Sequence, residues 1–521
     1  MLNALACESN LTYTENGSPA HRSSGSDCLD FFAVCGALRH ADENEIVRKF
    51  LRAYTEDPDT AMKTLFYARD IRGGLGERRL FRCILRYLAY TRPSSVLKNL
   101  PLIAEYGRFD DLLTLLGSPC EDELIRYLRA RLDADLAAAE AGNDCSLLAK
   151  WLPSVNTSSH RSRETAKKLC RLLGMREKEY RQTLAKLRAH IDVTECRLCR
   201  KDYTFDYEQV PGGALLRYRN ALLEHDGDRC RAYFNDVREG RAKMNAGTLY
   251  PYQIVREVID QRRYANFFDF EPYFDEESDA DFGRDPEREA LEAARREELL
   301  RTLDVTWNAL PDFCDGRSAI AVIDGSGSMY SDYGTGMMPA AVAMSLGIYF
   351  AEHNTGRYAG RFITFSNTPR FVKIKGDTIA EKVEYCMSFN EVANTNLYAV
   401  FRLILAAAVK HNIPQEELPE MLCIISDMEF DQATYCSADD DTVHEKAKKL
   451  YEKYGYRLPQ VVYWNVCARN GQFPVTMSES GTALVSGSSP ILFRQMMEMD
   501  PDPFSMMQRI LGSERYAPVS A

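Results

Sequence analysis

The sequence of 521 residues predicts an α-helical repeat array followed by a doubly wound α/β domain. The length exceeds what one hydrophobic core normally holds, so more than one domain is expected. Up to residue 267, apolar residues recur three and four positions apart, as in amphipathic helices. From Arg317 onward, short β-branched and aromatic runs alternate with helical segments, which indicates parallel strands joined by crossover helices.

The helical half, residues 1–267, contains amphipathic segments such as NEIVRKFLRAYTED, ERRLFRCILRYLAYT and EKEYRQTLAKLRAHI. Pro93, Pro101, Pro153 and the pair Gly73-Gly74 separate these segments. Many helices with little strand pattern indicate an α-solenoid or an irregular helical array, although no fixed sequence period is present.

The next segment, residues 268–316, is strongly acidic and is predicted to be a linker that becomes a charged helix near Pro286. The charge of the chain is unevenly distributed. Residues 1–267 hold 42 basic and 37 acidic side chains, whereas residues 268–521 hold 23 and 39. A locally basic half remains compatible with a polyanionic partner even though the net charge of the whole chain is -11.

The α/β domain is predicted over residues 317–498. Its strands are expected in the runs SAIAVID, GRFITFS, EMLCIISD, QVVYWNV and GTALVSG, and helical segments separate most of them. Ligands of doubly wound sheets bind at the carboxyl ends of the strands, which is where Asp324 stands.

Asp324, Ser326 and Ser328 alternate on a short glycine-containing loop, so that all three side chains can point toward one spot. Hydroxyl oxygens with few carboxylates suit a hard six-coordinate cation such as Mg²⁺. Thr395 in a loop before a helix, and Asp427 at a strand end, fit the same cation. A serine hydrolase is not favoured, because the pattern G-x-S-x-G is absent.

In this order, Asp-x-Ser-x-Ser, Thr and Asp resemble the metal-ion-dependent adhesion site of von Willebrand factor A domains. The resemblance implies that Ser326, Ser328 and Thr395 ligate Mg²⁺ or Mn²⁺ through their hydroxyls, with Asp324 and Asp427 holding it directly or through water. It also implies that an acidic residue of a protein partner completes the coordination. One departure is Ala393-Asn394 before Thr395, where many such domains have glycines. No enzymatic activity is expected, because this hydroxyl-rich set supplies no general base.

The order of the two halves resembles the Ro autoantigen and its bacterial relatives, in which a HEAT-like TROVE helical ring precedes an A domain. The chain resembles more closely a family of the same plan, domain of unknown function 2828. The stretches that support this resemblance are LFYARDIRGGLGERRLF, YGRFDDLL, LLAKWLPSVNTSS, KDYTFDYEQVPGGALLRYR and LGSERYAPV. Similarity to Ro proteins implies binding of structured noncoding RNA in a ribonucleoprotein.

Basic residues crowd two consecutive predicted helices, where they could neutralise RNA phosphates while Tyr180 offers a stacking surface. Ordinary surface pairs with Glu164, Glu177 and Glu179 are the alternative. The candidate RNA-binding residues are Arg161, Arg163, Lys167, Lys168, Arg171, Arg176, Lys178, Arg181, Lys186 and Arg188.

Three other motifs leave their interpretation open. Cys196-x-x-Cys199 with His190 hints at zinc, but no second pair lies at zinc-finger spacing. DIRGGLGERR lacks the phosphate-loop spacing and favours a connection between helices. WLPSVNTSS fits either a buried cap or a ligand loop.

These patterns predict a non-enzymatic RNA-binding scaffold whose A domain docks a partner through a divalent cation. The alternative is a metal-dependent protein-protein adaptor, for example to an AAA+ machine, without RNA. The chain has fifteen scattered cysteines, no apolar run of membrane-spanning length, and a start that is a poor match to a signal peptide. These features favour a cytoplasmic protein without membrane contact. Residues 499–521 are predicted to form a tail helix that packs back on the helical half, with Phe504, Met507, Ile510 and Leu511 on its apolar face.

Overall fold

The computed structural model describes residues 10–262, 286–314, 318–331, 337–389, 395–431, 441–498 and 500–521. The chain divides into two compact units. The sheet unit comprises Met1–His40 and Pro211–Met507, and the helical unit comprises Ala41–Val210 and Gln508–Ala521. This division differs from the sequence boundary at residue 267, since described segments on both sides of it lie in the sheet unit.

The strands and helices have the following bounds. The strands are β1 Leu11–Tyr13, β2 Pro19–His21, β3 Ala319–Asp324, β4 Arg361–Phe365, β5 Phe371–Lys373, β6 Met421–Ser426, β7 Gln460–Asn465 and β8 Thr482–Ser486. The α-helices are α1 Asp27–Val34, α2 Glu43–Glu56, α3 Pro58–Arg69, α4 Arg78–Thr91, α5 Pro93–Lys98, α6 Leu100–Tyr106, α7 Phe109–Leu112, α8 Glu121–Glu140, α9 Leu148–Trp151, α10 His160–Leu172, α11 Glu177–His190, α12 Thr194–Cys199, α13 Gly212–His225, α14 Gly227–Arg238, α15 Pro251–Arg262, α16 Pro286–Asn308, α17 Pro339–His353, α18 Ile379–Met387, α19 Leu397–His411, α20 Val443–Lys453, α21 Ile491–Met497 and α22 Pro503–Leu511.

The sheet of the sheet unit has six strands in the order β5-β4-β3-β6-β7-β8, with only β5 antiparallel to its neighbour. All residues of β3 and β6 are buried, as expected for central parallel strands. The strand order reverses between β3 and β6, so the crevice for ligands lies outside the carboxyl ends of these two strands. The mixed helical and α/β class predicted from the sequence is thereby confirmed.

The start of the sheet unit contains a hairpin that the helical prediction for residues 1–267 did not include. Strands β1 and β2 pair antiparallel, with Tyr13 opposite Pro19. The turn between them contacts the chain just after β6, because the Thr14 hydroxyl donates to the Phe430 carbonyl at 2.6 Å and Gly17 bridges to Asp431. Strands of three residues are too short to show an alternating pattern, so no periodicity indicates them.

The helices of the helical unit start at well-defined caps and bury one apolar face. Asp42 accepts hydrogen bonds from the first backbone N–H groups of α2, and Asp57 does the same for α3. Phe66 lies edge-on to Phe81 with ring centroids 5.4 Å apart, and both side chains are buried. Among the helices that the structure describes, none has the length and apolar composition needed to cross a bilayer.

The end of the chain lies within the helical unit. The Arg515 guanidinium pairs with both oxygens of the buried Asp70 carboxylate, whose Oδ2 also accepts from the Tyr516 hydroxyl at 3.0 Å. The Tyr516 ring stacks on Tyr106 at 5.8 Å. A Cβ atom on Gly73 would lie 2.6 Å from the Arg515 side chain, so the glycine-rich turn of DIRGGLGERR leaves room for the tail.

Candidate metal centre at the carboxyl edge of the sheet

Four of the five predicted metal ligands form one connected network between the ends of β3 and β6. Asp324 accepts from the Ser326 backbone N–H at 2.9 Å and from the Ser426 hydroxyl at 2.5 Å. The Ser326 and Ser328 hydroxyl oxygens are 3.1 Å apart. The Ser328 hydroxyl donates to Asp427 at 2.8 Å, which closes the connection between the two strand ends.

Tight turns position these side chains. Asp324 and Asp427 each accept a backbone N–H two residues further on, the pattern of an Asx turn. Met428 has a φ of 68°, which turns the chain sharply immediately after Asp427. Both carboxylates are therefore held by their own loops and face the crevice at the strand ends.

Thr395, the fifth predicted ligand, is buried close to the segment that follows Asp427. Its hydroxyl donates to the Glu429 carbonyl at 2.8 Å and lies 3.1 Å from Asp431 Oδ1. It also accepts from the Asn16 side-chain amide at 3.0 Å. Its hydrogen bonds therefore run to the hairpin turn and to residues 429–431, and not to the network of the other four.

Arg469 places a positive charge of the protein itself in this centre. One of its guanidinium nitrogens lies 2.9 Å from Asp427 Oδ2, and another lies 2.7 Å from Glu15 Oε2. The sequence analysis missed Arg469, which follows the end of β7 by four residues. The rule that ligands bind at the carboxyl ends of parallel strands would have drawn attention to this loop as well.

Glu429 is a second residue that the sequence analysis missed. Its buried carboxylate accepts from the side-chain amides of Asn470 and Gln472, at 2.9 and 2.6 Å, and from the Glu15 backbone N–H at 2.7 Å. It thus connects the loop after β6 with the loop after β7 and with the hairpin turn. No sequence pattern links positions so far apart in the chain.

The carboxylates of the centre are influenced by burial and by each other's charge. Burial, and then the negative charge of Asp427, raise the pKa of the Asp324 carboxyl. Burial also raises the pKa of Asp431, whose Oδ2 is enclosed without a hydrogen-bond partner among the described residues. The buried carboxylates of Asp324 and Asp427 repel one another, and a bound cation would relieve that repulsion, whereas no contact joins Asp431 to them within the described residues.

The chemistry of the donors selects the class of cation. Within the described ranges, no group of three or more His, Cys, Asp or Glu side chains could hold a metal ion. A site here therefore depends on serine hydroxyls added to carboxylates. Such an oxygen-only set fits Mg²⁺ or Mn²⁺ and lacks the nitrogen and sulfur ligands typical of zinc.

The predicted RNA-binding residues lie on α10 and α11, except Arg176, which precedes α11 as its N-cap, and only some of them are engaged. Lys167, Lys168 and Lys186 pair with Glu164, Glu121 and Glu140. Arg163 and Arg188 donate to backbone carbonyls, and Arg188 also donates to Ser154. The side chains of Arg161, Arg171, Arg176, Lys178 and Arg181 make neither an ion pair nor a hydrogen bond within the described part of the chain.

One smaller prediction for this region is not met, and the zinc interpretation that was left open gains no support within the described residues. Tyr180 is fully buried and its hydroxyl donates to the Pro153 carbonyl at 3.0 Å, so it offers no surface for stacking a base. His190 lies 2.8 Å from the Asn143 carbonyl, and no metal-binding group that includes Cys196 and Cys199 occurs within the described residues.

Comparison with known proteins finds matches along most of the chain. The family model described as domain of unknown function DUF2828 matches residues 14–131 and 126–313, and that described as DUF7788 matches residues 318–508. "Uncharacterized protein L728" of Acanthamoeba polyphaga mimivirus is 27% identical over 544 residues, covering 96% of this chain and 87% of that protein. The crystal structure of the Deinococcus radiodurans RO (RSR) protein aligns with a TM-score of 0.36 at 14% identity, covering 94% of this chain and 100% of that one. This TM-score and this sequence identity are too low to establish a shared fold.

Proposed function

The chain belongs to the DUF2828 family, and we propose that it is a non-enzymatic docking protein. Its sheet unit binds a divalent cation, and its helical unit binds structured RNA. Membership of this family confirms the closest resemblance drawn from the sequence. The observation that carries the cation site is the continuous network from Asp324 through Ser326 and Ser328 to Asp427.

In this proposal residues 317–498 of the sheet unit form a von Willebrand factor A-like domain, and Asp324, Ser326, Ser328 and Asp427 hold Mg²⁺ or Mn²⁺. Thr395 reaches the cation through water or after a change of its hydrogen bonds. When bound, the cation supplies an open coordination position for an anionic oxygen. An exposed Asp or Glu side chain of a protein partner fits that position.

A hydrolytic role is less well supported than docking. The Ser326 hydroxyl lies beside another serine hydroxyl, whereas a serine nucleophile needs a hydrogen-bonded general base. The Ser328 hydroxyl does donate to Asp427, but this carboxylate already pairs with the Arg469 guanidinium. The residues of the centre are therefore arranged to bind oxygen ligands rather than to transfer protons.

Calorimetric titration of the full chain with MgCl₂ tests the cation site. We expect binding that the double substitution Ser326→Ala, Ser328→Ala weakens strongly and that Asp324→Ala abolishes. Glu416→Ala is the matched control, because this exposed carboxylate precedes β6 at the opposite edge of the sheet. Undiminished Mg²⁺ binding by a folded Asp324→Ala protein would refute the assignment.

RNA binding by the helical unit is supported by five basic side chains, on or beside α10 and α11, that have neither an ion pair nor a hydrogen bond among the described residues. Unpaired basic side chains on neighbouring helices can neutralise phosphates without breaking existing pairs, and the resulting affinity falls steeply with salt. The adaptor without RNA remains the alternative, and it requires these side chains to face only water or protein.

Filter binding of the full chain to a structured RNA at several salt concentrations distinguishes the RNA-binding function from the adaptor function. Replacing Arg161, Arg171 and Arg176 with Gln should weaken binding and make its salt dependence shallower, by about one unit of slope for each lost phosphate contact. Replacing Lys167, Lys168 and Lys186 with Gln removes the same charge from side chains that are already paired, and should have less effect. Absence of RNA binding at low salt would favour the adaptor.

A further inference from the structure

A basic pocket in the helical unit lies between the loop WLPSVNTSS and helix α11. The pocket has a volume of about 160 Å³, enough for several water molecules or one phosphate group. The side chains that give it its chemistry are Ser154, Asn156, Arg181, Arg188, Cys196 and Arg200. No carboxylate is among the described residues that line it.

The positive charge of Arg188 is held in place without being neutralised by a carboxylate. Its Nε and Nη2 donate to the carbonyls of Ala149 and Leu152, at 2.8 and 2.6 Å. Its Nη1 donates to the Ser154 hydroxyl at 2.6 Å. All three acceptors are neutral, so this half-buried guanidinium keeps its full charge in the pocket wall and attracts an anion.

Arg181 and Arg200 add exposed guanidinium groups at the rim. Arg181 makes no hydrogen bond or ion pair through its side chain within the described part of the chain. The Asp202 carboxylate acts electrostatically on Arg200, but it accepts its hydrogen bonds from the Thr204 hydroxyl at 2.6 Å and from Arg197 at 3.3 Å. Neither rim guanidinium donates a hydrogen bond within the described residues, so both can donate to a ligand.

The pocket is formed before any ligand arrives. The Tyr180 hydroxyl fixes the Pro153 carbonyl, and Arg188 fixes the residues on either side of it. A rigid wall with planar guanidinium groups matches the oxygens of a phosphate, which arginine binds with paired hydrogen bonds.

We propose that this pocket binds a phosphoryl group. That the group is carried by RNA rests on the function proposed above. Arg188 supplies the fixed charge of the wall, and Arg181 and Arg200 close over the phosphate oxygens from the rim. The loop WLPSVNTSS, which the sequence left as either a cap or a ligand loop, is then both: its backbone carbonyls hold Arg188 and its Ser154 and Asn156 side chains line the site.

Binding of inorganic phosphate to the full chain tests the pocket directly. The double substitution Arg181→Gln, Arg200→Gln leaves every hydrogen bond that holds the loop intact and should lower phosphate affinity about tenfold. Arg171→Gln, Lys178→Gln removes the same charge from exposed positions of α10 and α11 outside the pocket, and should change phosphate affinity less than twofold. Equal losses in the two variants would overturn the proposal.

Alkylation of two cysteines of α12 gives a second measurement on the unmodified chain. Cys196 lines the pocket, whereas the exposed Cys199 does not. Phosphate should slow alkylation of Cys196 and leave that of Cys199 unchanged, and a 5′-phosphorylated RNA oligonucleotide should do so at lower concentration. Protection by phosphate without RNA binding would uphold the pocket and refute the RNA function. RNA binding without protection or phosphate binding would refute the pocket alone.

Discussion

At the scale of single residues, the centre at the sheet edge is governed by competition for Asp427. This carboxylate is almost completely buried and is shared by the Ser328 hydroxyl and the Arg469 guanidinium. A buried ion pair is costly to break, because the remaining charge loses its partner in a poorly solvated site. A divalent cation bound as proposed would have to displace or share the guanidinium, so we expect Arg469 to limit the cation affinity.

Replacing Arg469 with Gln should accordingly tighten Mg²⁺ binding, by about tenfold if one charge-assisted hydrogen bond is released. Without cation, the same variant should melt at a lower temperature than the wild type. Added Mg²⁺ should remove this difference in melting temperature. Titration calorimetry and thermal melts with and without Mg²⁺ measure both effects. The control is Arg457→Gln, an exposed arginine before β7 in the same unit. Weaker Mg²⁺ binding by Arg469→Gln would show that the arginine supports the site instead of competing for it.

At the scale of elements, the sequence predicted what depends on periodic patterns and missed what depends on distant partners. The five apolar runs became β3, β4, β6, β7 and β8, because buried parallel strands are continuously apolar. The edge strand β5 and the two hairpin strands β1 and β2 have three residues each, which is too short for an alternating pattern to be visible. Similarly, the residues of the Asp-x-Ser-x-Ser loop are adjacent in sequence, so their pattern predicted the site. The hydrogen-bond partners of the Glu429 carboxylate among the described residues are more than 40 positions away.

The hairpin should depend on Glu429, since this carboxylate accepts from the Glu15 backbone N–H and from the amides of Asn470 and Gln472. In Glu429→Gln, a side-chain NH₂ group faces one of these donors and leaves it unsatisfied, which should cost about 1–3 kcal/mol of unfolding free energy. Limited proteolysis should then cut within residues 10–21 faster than in the wild type. Glu420→Gln, at an exposed position before β6, is the control and should behave like the wild type. Equal cleavage rates would show that the hairpin is held by its other contacts.

At the scale of the whole molecule, residues far apart in the sequence complete one of the two units. The helical unit combines residues 41–210 with residues 508–521, so its core cannot be complete until residues 508–521 have been synthesised. Tyr516 and Val519 are buried in it, and Asn99 donates to the Ser520 carbonyl at 2.6 Å. Arg515 supplies the charge that balances Asp70, a carboxylate with no exposed surface.

Deleting residues 512–521 should therefore destabilise the helical unit while leaving α22 itself in the chain. Removal of Arg515 and Tyr516 leaves the Asp70 carboxylate buried without its ion pair, a change that typically costs about 3–5 kcal/mol. Hydrogen exchange should show lost protection in α3 and α6, which supply Tyr67 and Tyr106 to the contact with Tyr516, and unchanged protection in β3 and β6.

A point substitution separates this ion pair from the rest of the tail. Arg515→Met keeps the aliphatic packing and should reproduce much of the loss, and adding Asp70→Asn should restore part of it, because the buried charge is then gone. Glu514→Gln, next to Arg515, is the control, because no side-chain partner of Glu514 occurs among the described residues. Equal melting temperatures and equal hydrogen-exchange rates for the truncated and full-length chains would show that the unit is stable without its tail. The buried Asp70 carboxylate would then be satisfied by the Arg72 backbone N–H and its other neighbours alone.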